Sequence, residues 1–151
     1  MPIRCLACLA ALAVALSCGR SSDSVSATLN RKEVTLPGGT KLSAEVMLFE
    51  ADMARGMMFR DSLPADQGML FVHTAPGRYA YWMYQVRIPL DIVWMSPEHR
   101  IVEISANTPP CRTRASDCPR YGGNVPAQYV LELAGGMAAK YGLREGQSIA
   151  F

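Results

Sequence analysis

Histidine is nearly missing from this sequence, metal-ligand spacing is missing altogether, and neither sign of charge dominates. His73 and His99 are the only histidines. His99 stands in the turn-forming run Pro97-Glu98-His99 and His73 follows an apolar strand, so neither reads as a catalytic base or a zinc ligand. There is no Gly-x-Ser-x-Gly elbow, no His-Glu-x-x-His pair and no glycine-rich phosphate loop, so the motif-borne hydrolase, metalloprotease and nucleotide-binding templates find no purchase. Lys and Arg number 15 against 13 Asp and Glu, a formal charge of +2. A balance this close to neutral carries no electrostatic footprint for nucleic acid. Long apolar runs are lacking too. The longest, Leu6 to Leu16, has eleven residues, and a membrane-spanning helix needs about 20.

That short run has another use. Arg4 supplies a positive start, the apolar stretch follows, and Ala15-Leu16-Ser17-Cys18 closes it with small residues, the three-part layout of a secretion signal. Residues 1–17 are therefore expected to be a signal peptide of lipoprotein type. Small and apolar residues directly before Cys18 resemble a lipobox, in which the cysteine is lipidated and becomes the mature N-terminus. Residues 18–30, rich in serine, then read as a flexible tether. The expectation is an exported protein, periplasmic or on the outer face of a membrane and anchored there by N-terminal lipid. Residues 31–151 would form a single domain, with room for one modest core.

Cys111 and Cys118 remain. Outside the cytoplasm a lone cysteine pair is expected to bridge, and the Pro- and Gly-rich stretch around them is a loop in need of a staple. Six intervening residues are too many for a C-x-x-C redox pair. Arg112, Arg114 and Arg120 decorate this loop with only Asp117 against them, a solvated surface or a contact for an anionic partner such as lipid headgroups.

Along the domain, Lys41 to Phe49 alternates as a half-buried strand should, after a Pro37-Gly38-Gly39 turn. Asp52 is placed to cap a short helix carrying Met53, Ala54, Met57 and Met58, which must stop before Leu63-Pro64. Gly68 to Val72, Tyr79 to Tyr84, Ile88 to Ser96, Arg100 to Ala106, Gln128 to Leu133 and Gln147 to Phe151 read as strands, with turns at Pro76-Gly77 and Pro97-Glu98-His99. A second helix spans Met137 to Tyr141, with Gly142 as a left-handed cap and Leu143 closing over it. The fold expected is α+β, mainly β: a small single domain with an antiparallel barrel-like or sandwich-like sheet and two short helices.

Several segments in order carry a resemblance. They are Arg55-Gly56-Met57-Met58-Phe59-Arg60, Gly68-Met69-Leu70-Phe71, Trp82-Met83, Ile88-Pro89-Leu90-Asp91-Ile92, Pro109-Pro110-Cys111 through Cys118-Pro119, and Pro126 through Glu132, with Gly142 and Gly146 at the end. Together they resemble the bacterial and archaeal family known as domain of unknown function 192, from about Glu33 to Phe151. The resemblance implies a compact, mainly β fold, often on exported proteins, with no established activity. Members carry Lys-Asn-Thr after the Trp-Met pair, where this chain has Tyr84-Gln85-Val86, so any contact made by that lysine and asparagine is altered here. The stretch between Phe49 and Met53 is also shorter than is usual.

Asp91 is the most informative charge, because it shares a strand face with Val93 and Met95. A carboxylate there needs a donor, and Arg60 and Arg87 are the candidates. It is either half of a structural ion pair or part of a pocket. Tyr79, Tyr81, Trp82 and Tyr84 crowd one strand, as core or as an exposed aromatic face that suits a sugar ring. The methionines lack nearby histidines, so they read as core filling rather than a copper site. No metal and no cofactor is expected. The function expected is an accessory or binding domain of the cell envelope, holding a small polar or sugar-like ligand in a cleft near Arg60, Trp82, Met83 and Asp91. Two readings compete with it: an envelope or carbohydrate hydrolase pairing Asp91 with a second carboxylate such as Glu103, and a purely structural envelope protein.

Overall fold

The computed structural model describes residues 30–151. The expected signal, Cys18 and nearly all of the expected tether lie outside the described residues. Within them no helix is long and apolar enough to cross a membrane.

The first hairpin follows from its turn. Strands β1 (Arg31–Thr35) and β2 (Lys41–Met47) pair antiparallel. Gly38 and Gly39, at φ 91 and 86, supply the left-handed backbone between them, which residues with a Cβ avoid. The alternation expected in β2 holds for Leu42 and Ala44, which are buried, and ends before Leu48, which is exposed. Next comes a departure from the expected antiparallel sheet. Strand β3 (Gln67–Gly77) runs parallel to β2, and a parallel pair needs a crossover rather than a turn. Helix α1 (Glu50–Arg55) lies in that crossover. Asp52 does not cap it. Phe49 holds the N-cap position with no side-chain hydrogen bond, and Asp52 sits in the first turn, where a negative charge still favours the helix dipole. The turn expected at Pro76-Gly77 is absent, because β3 continues through it with an irregular register, the setting in which a sheet tolerates proline.

The remaining strands are β4 (Tyr81–Trp82), β5 (Leu90–Met95), β6 (Ile101–Thr108), β7 (Arg120–Tyr121) and β8 (Ala127–Ala134), and the second helix is α2 (Met137–Lys140). The main sheet is mixed, in the order β1-β2-β3-β8-β5-β6, and β4 and β7 form a separate two-stranded ribbon. The long strand expected over Tyr79 to Tyr84 is thus only Tyr81–Trp82. Every residue of β5 is buried, as a strand covered on both faces must be. One face carries Val34, Leu42, Leu70, Val93 and Leu131, closed by Ala138, Leu143 and Ile149. The other carries Met69, Phe71, Ile92, Trp94 and Val130 under Met57 and Met83, with the methionines filling core as expected.

The C-terminal segment stitches the two edge strands together. Thr35 exchanges both backbone hydrogen bonds with Ala150, at 2.8 and 3.0 Å, and Ile101 N donates to Gln147 O at 2.8 Å. These are isolated pairs rather than the expected strand, so the sheet curls without closing into a barrel. The end of α2 matches expectation. Gly142 has φ 63, and the N–H groups of Gly142 and Leu143 return to the carbonyls of Ala139 and Ala138, the Schellman arrangement.

Candidate functional site

Cys111 and Cys118 are bridged, and the bridge organises the ribbon. Cys111 N donates to the Met83 carbonyl at 3.0 Å, and Cys111 pairs with Tyr84. Arg120, two residues beyond the bridge, is thereby set opposite Trp82 in the β4–β7 register. Gly122 and Gly123 then bring the chain over Trp94. A Cβ on Gly122 would lie 2.2 Å from the Trp94 ring, so only glycine fits this approach. The Trp94 indole N–H in turn donates to the Tyr79 carbonyl at 2.8 Å.

These constraints build an aromatic wall. Tyr79 stacks on His73 with ring centroids 3.5 Å apart. Tyr81 stands edge-on to Phe71 and Trp94, at 5.1 and 5.8 Å, and its hydroxyl is 3.2 Å from His73 Nε2. The Arg120 guanidinium lies over the Trp82 ring, 4.5 Å from its centre. Wall and α1 enclose a cleft of about 410 Å³, lined by Met53, His73, Arg78, Tyr79, Tyr81, Trp82 and Arg120 among others. No carboxylate lines it. Burial lowers the pKa of His73 and raises that of Tyr81, where the nearby charge of Glu132 and then Tyr79 add to the effect. At neutral pH both groups are therefore uncharged hydrogen-bonding partners.

On the other flank of α1 lies a second cleft, of about 380 Å³, with the opposite character. Glu45 and Asp52 line it beside Arg55 and Arg60. Arg60 grips Glu45 through both terminal nitrogens at 2.7 Å, and that hydrogen bonding is the main cause holding the Glu45 pKa below its ordinary value. Behind this pair Glu132 is buried on the second core face, and its Oε2 has no hydrogen-bond partner. Burial pushes its pKa up to about 8, against the weaker opposing pull of Arg60.

The four residues expected to line one cleft are not gathered in one. Trp82 lines the aromatic cleft and Arg60 the mixed-charge one. Met83 is fully buried in the core between them. Asp91 is fully buried on the opposite face of the sheet. Its expected partners are engaged elsewhere, Arg60 with Glu45 and Arg87 with Asp61. The donors it needs are backbone N–H groups: Asn107 at 2.6 Å and Gly136 at 3.1 Å to Oδ1, and Ala138 at 2.5 Å to Oδ2. Asp91 thus caps α2 from a neighbouring strand, where the helix's own N-cap, Gly136, has no side chain to offer. Glu103 does not join it. Glu103 lies opposite Trp94, on the other face from Asp91, and accepts two hydrogen bonds from Asn124.

Glu132, Arg78 and the stacking of the exposed Arg120 on Trp82 were not anticipated from the sequence. For Glu132 a signal existed, a charge inside the apolar run Val130-Leu131-Glu132-Leu133. For the two arginines none did, since the ribbon sets Arg120 against Trp82 and the Asn124 carbonyl orients Arg78.

Two solved structures share this architecture. A protein of unknown function from Novosphingobium aromaticivorans DSM 12444 is 31% identical, with a TM-score of 0.69 over 80% of this chain and 84% of that one. A protein from Sinorhizobium meliloti 1021, provisionally termed a transcription regulator, is 25% identical, with a TM-score of 0.70 over 80% of this chain and 91% of that one. No curated protein matches the chain. Residues 33–151 match domain of unknown function 192 (DUF192), described as "Uncharacterized ACR". With that match running through the whole sheet, from β1 to the C-terminal stitch, the chain belongs to the DUF192 family.

Proposed function

We propose that this protein is an exported, lipid-anchored accessory domain of the cell envelope that binds a small polar or sugar-like ligand in the cleft between α1 and β4. The observation that carries the reading is the make-up of that cleft: stacked aromatic rings with polar edges, open to solvent, and no carboxylate among its lining residues. Aromatic faces bind the apolar side of a sugar or similar ring while a few polar groups orient it. Trp82 belongs to this site directly, and Met83 supports it from the core. Asp91 contributes scaffold. Export is supported by the leader-like N-terminus, and the Cys111–Cys118 bridge is compatible with an oxidising compartment.

The hydrolase alternative loses its acid, because both oxygens of Asp91 are occupied by backbone amides and Glu103 lies across the sheet. A thermal-shift screen of the purified protein against neutral sugars, acidic sugars, lipid headgroups and divalent metals tests the proposal. A ligand that binds only the folded state raises the melting temperature, by about 2.7 kcal/mol of added stability at one hundred times Kd. The expected result is a shift of several degrees with at least one ring-bearing compound, lost in Trp82→Ala. No shift with any sugar would leave the purely structural reading standing, and release of a hydrolysis product would reinstate the enzyme.

A further inference from the structure

We infer that the ligand of the aromatic cleft carries an anionic group beside a ring, with Arg120, stacked on Trp82, as partner of the anion and the aromatic side chains lining the cleft around the ring. This rests on the binding reading above and names the chemical class of the ligand. The two clefts flanking α1 are the first argument. In the mixed-charge one, two carboxylates stand beside two arginines, and Arg60 is paired with Glu45 through both terminal nitrogens. In the aromatic one, Arg78 and Arg120 both line the space, no carboxylate does, and neither arginine forms an ion pair among the described residues. Two positive charges on the wall of a concave site favour a negative occupant.

The second argument is preorganisation. Arg120 is held in cross-strand register with Trp82, its guanidinium lies on the indole, and the bridge just before it fixes the ribbon. A guanidinium stacked on a ring uses its face and leaves its N–H edge available for the two parallel hydrogen bonds that carboxylate and phosphate accept. Among the described residues, no acceptor within the protein takes that edge. Arg78 differs, since it donates to the Asn124 carbonyl and is oriented by it. The third argument is size. A cleft of about 410 Å³ takes one substituted ring. The chemistry fits an acidic sugar or an aromatic carboxylate equally.

Matched probes separate these sources. Calorimetric titration of the purified protein at low salt would use glucuronate against glucose, and benzoate against benzyl alcohol, with inorganic phosphate as a bare anion. The expected result is that the charged member of at least one pair binds about tenfold or more tighter than its neutral partner, and that phosphate binds more weakly than that charged member. Arg120→Ala should erase the difference between the charged and the neutral member of the pair. Arg120→Lys, which keeps the charge and loses the fork, should retain only part of it. Arg112→Ala, an exposed arginine of the same loop, should change nothing. Equal binding within both pairs overturns the anion while sparing the ring-binding cleft. Phosphate binding as tightly as the charged rings overturns the role of the ring. Silence from all five probes overturns both readings.

Discussion

Asp91 and Glu132 are two buried carboxyls on adjacent strands, facing opposite sides of one sheet, and their surroundings give them opposite chemistry. Asp91 accepts three backbone N–H bonds, so its charge is solvated by the protein. Glu132 has a bare oxygen and is held neutral by burial, with its pKa at about 8. Amide substitution should therefore act with opposite signs. Asp91→Asn removes the charge from three hydrogen bonds and turns a donor toward a donor, so it should destabilise by about 2–3 kcal/mol. Glu132 has a folded pKa raised above its unfolded value. Its contribution is thus fully present below pH 4.5, falls as pH rises from there, and is gone above about 8. The total decline is at most about 5 kcal/mol. Glu132→Gln should abolish that decline and match or exceed wild-type stability at pH 9. His73, with a lowered folded pKa, works the other way, its stabilisation being lost as pH falls below 6.5. Because His73 is present in both proteins, it cancels from the comparison. Denaturant melts of the three proteins between pH 4.5 and 9 read all of this. A Glu132→Gln protein that follows the wild-type pH profile would refute the neutral, buried acid.

At the scale of elements, the bridge and the ribbon are the parts that connect fold to binding. Closing a ring as short as that between Cys111 and Cys118 stabilises by about 2–3 kcal/mol on the chain-entropy model. The double change Cys111→Ser, Cys118→Ser should therefore lower stability by that amount without preventing folding. It should also weaken ligand binding more than stability alone explains, since Arg120 loses its fixed register. Melting and titration of the same sample check both halves. Elements with strong local codes were legible in advance. These include β2 by its alternation, the Gly38-Gly39 turn, and the Gly142-Leu143 close of α2. Elements whose form depends on a distant partner were not. The parallel pairing of β2 with β3, the short β4 and the stitched C-terminus are decided by which edges are left to pair. The cap of α2 comes from Asp91, far away in sequence.

At the scale of the whole molecule, the proposal joins anchor and cleft: lipid on Cys18 would hold a binding head near a membrane. Metabolic labelling with a fatty acid should mark the wild type and leave Cys18→Ser unmarked. Equal labelling of both, or of neither, would remove the anchor from the proposal.

Composition and motifs by themselves determined a small β-rich domain, the bridge, the family, and the lack of any motif-borne catalytic machinery. These are local or compositional properties, carried by hydrophobic alternation, turn residues and residue types in order. Tertiary structure alone decided which residues the candidate site brings together. A residue's neighbours across a sheet are set by register and crossover, and a shift of one position turns a side chain to the other face. That is why Asp91, expected in the cleft, is sealed against backbone amides on the far side, and Arg120, exposed as read, lies across the Trp82 ring.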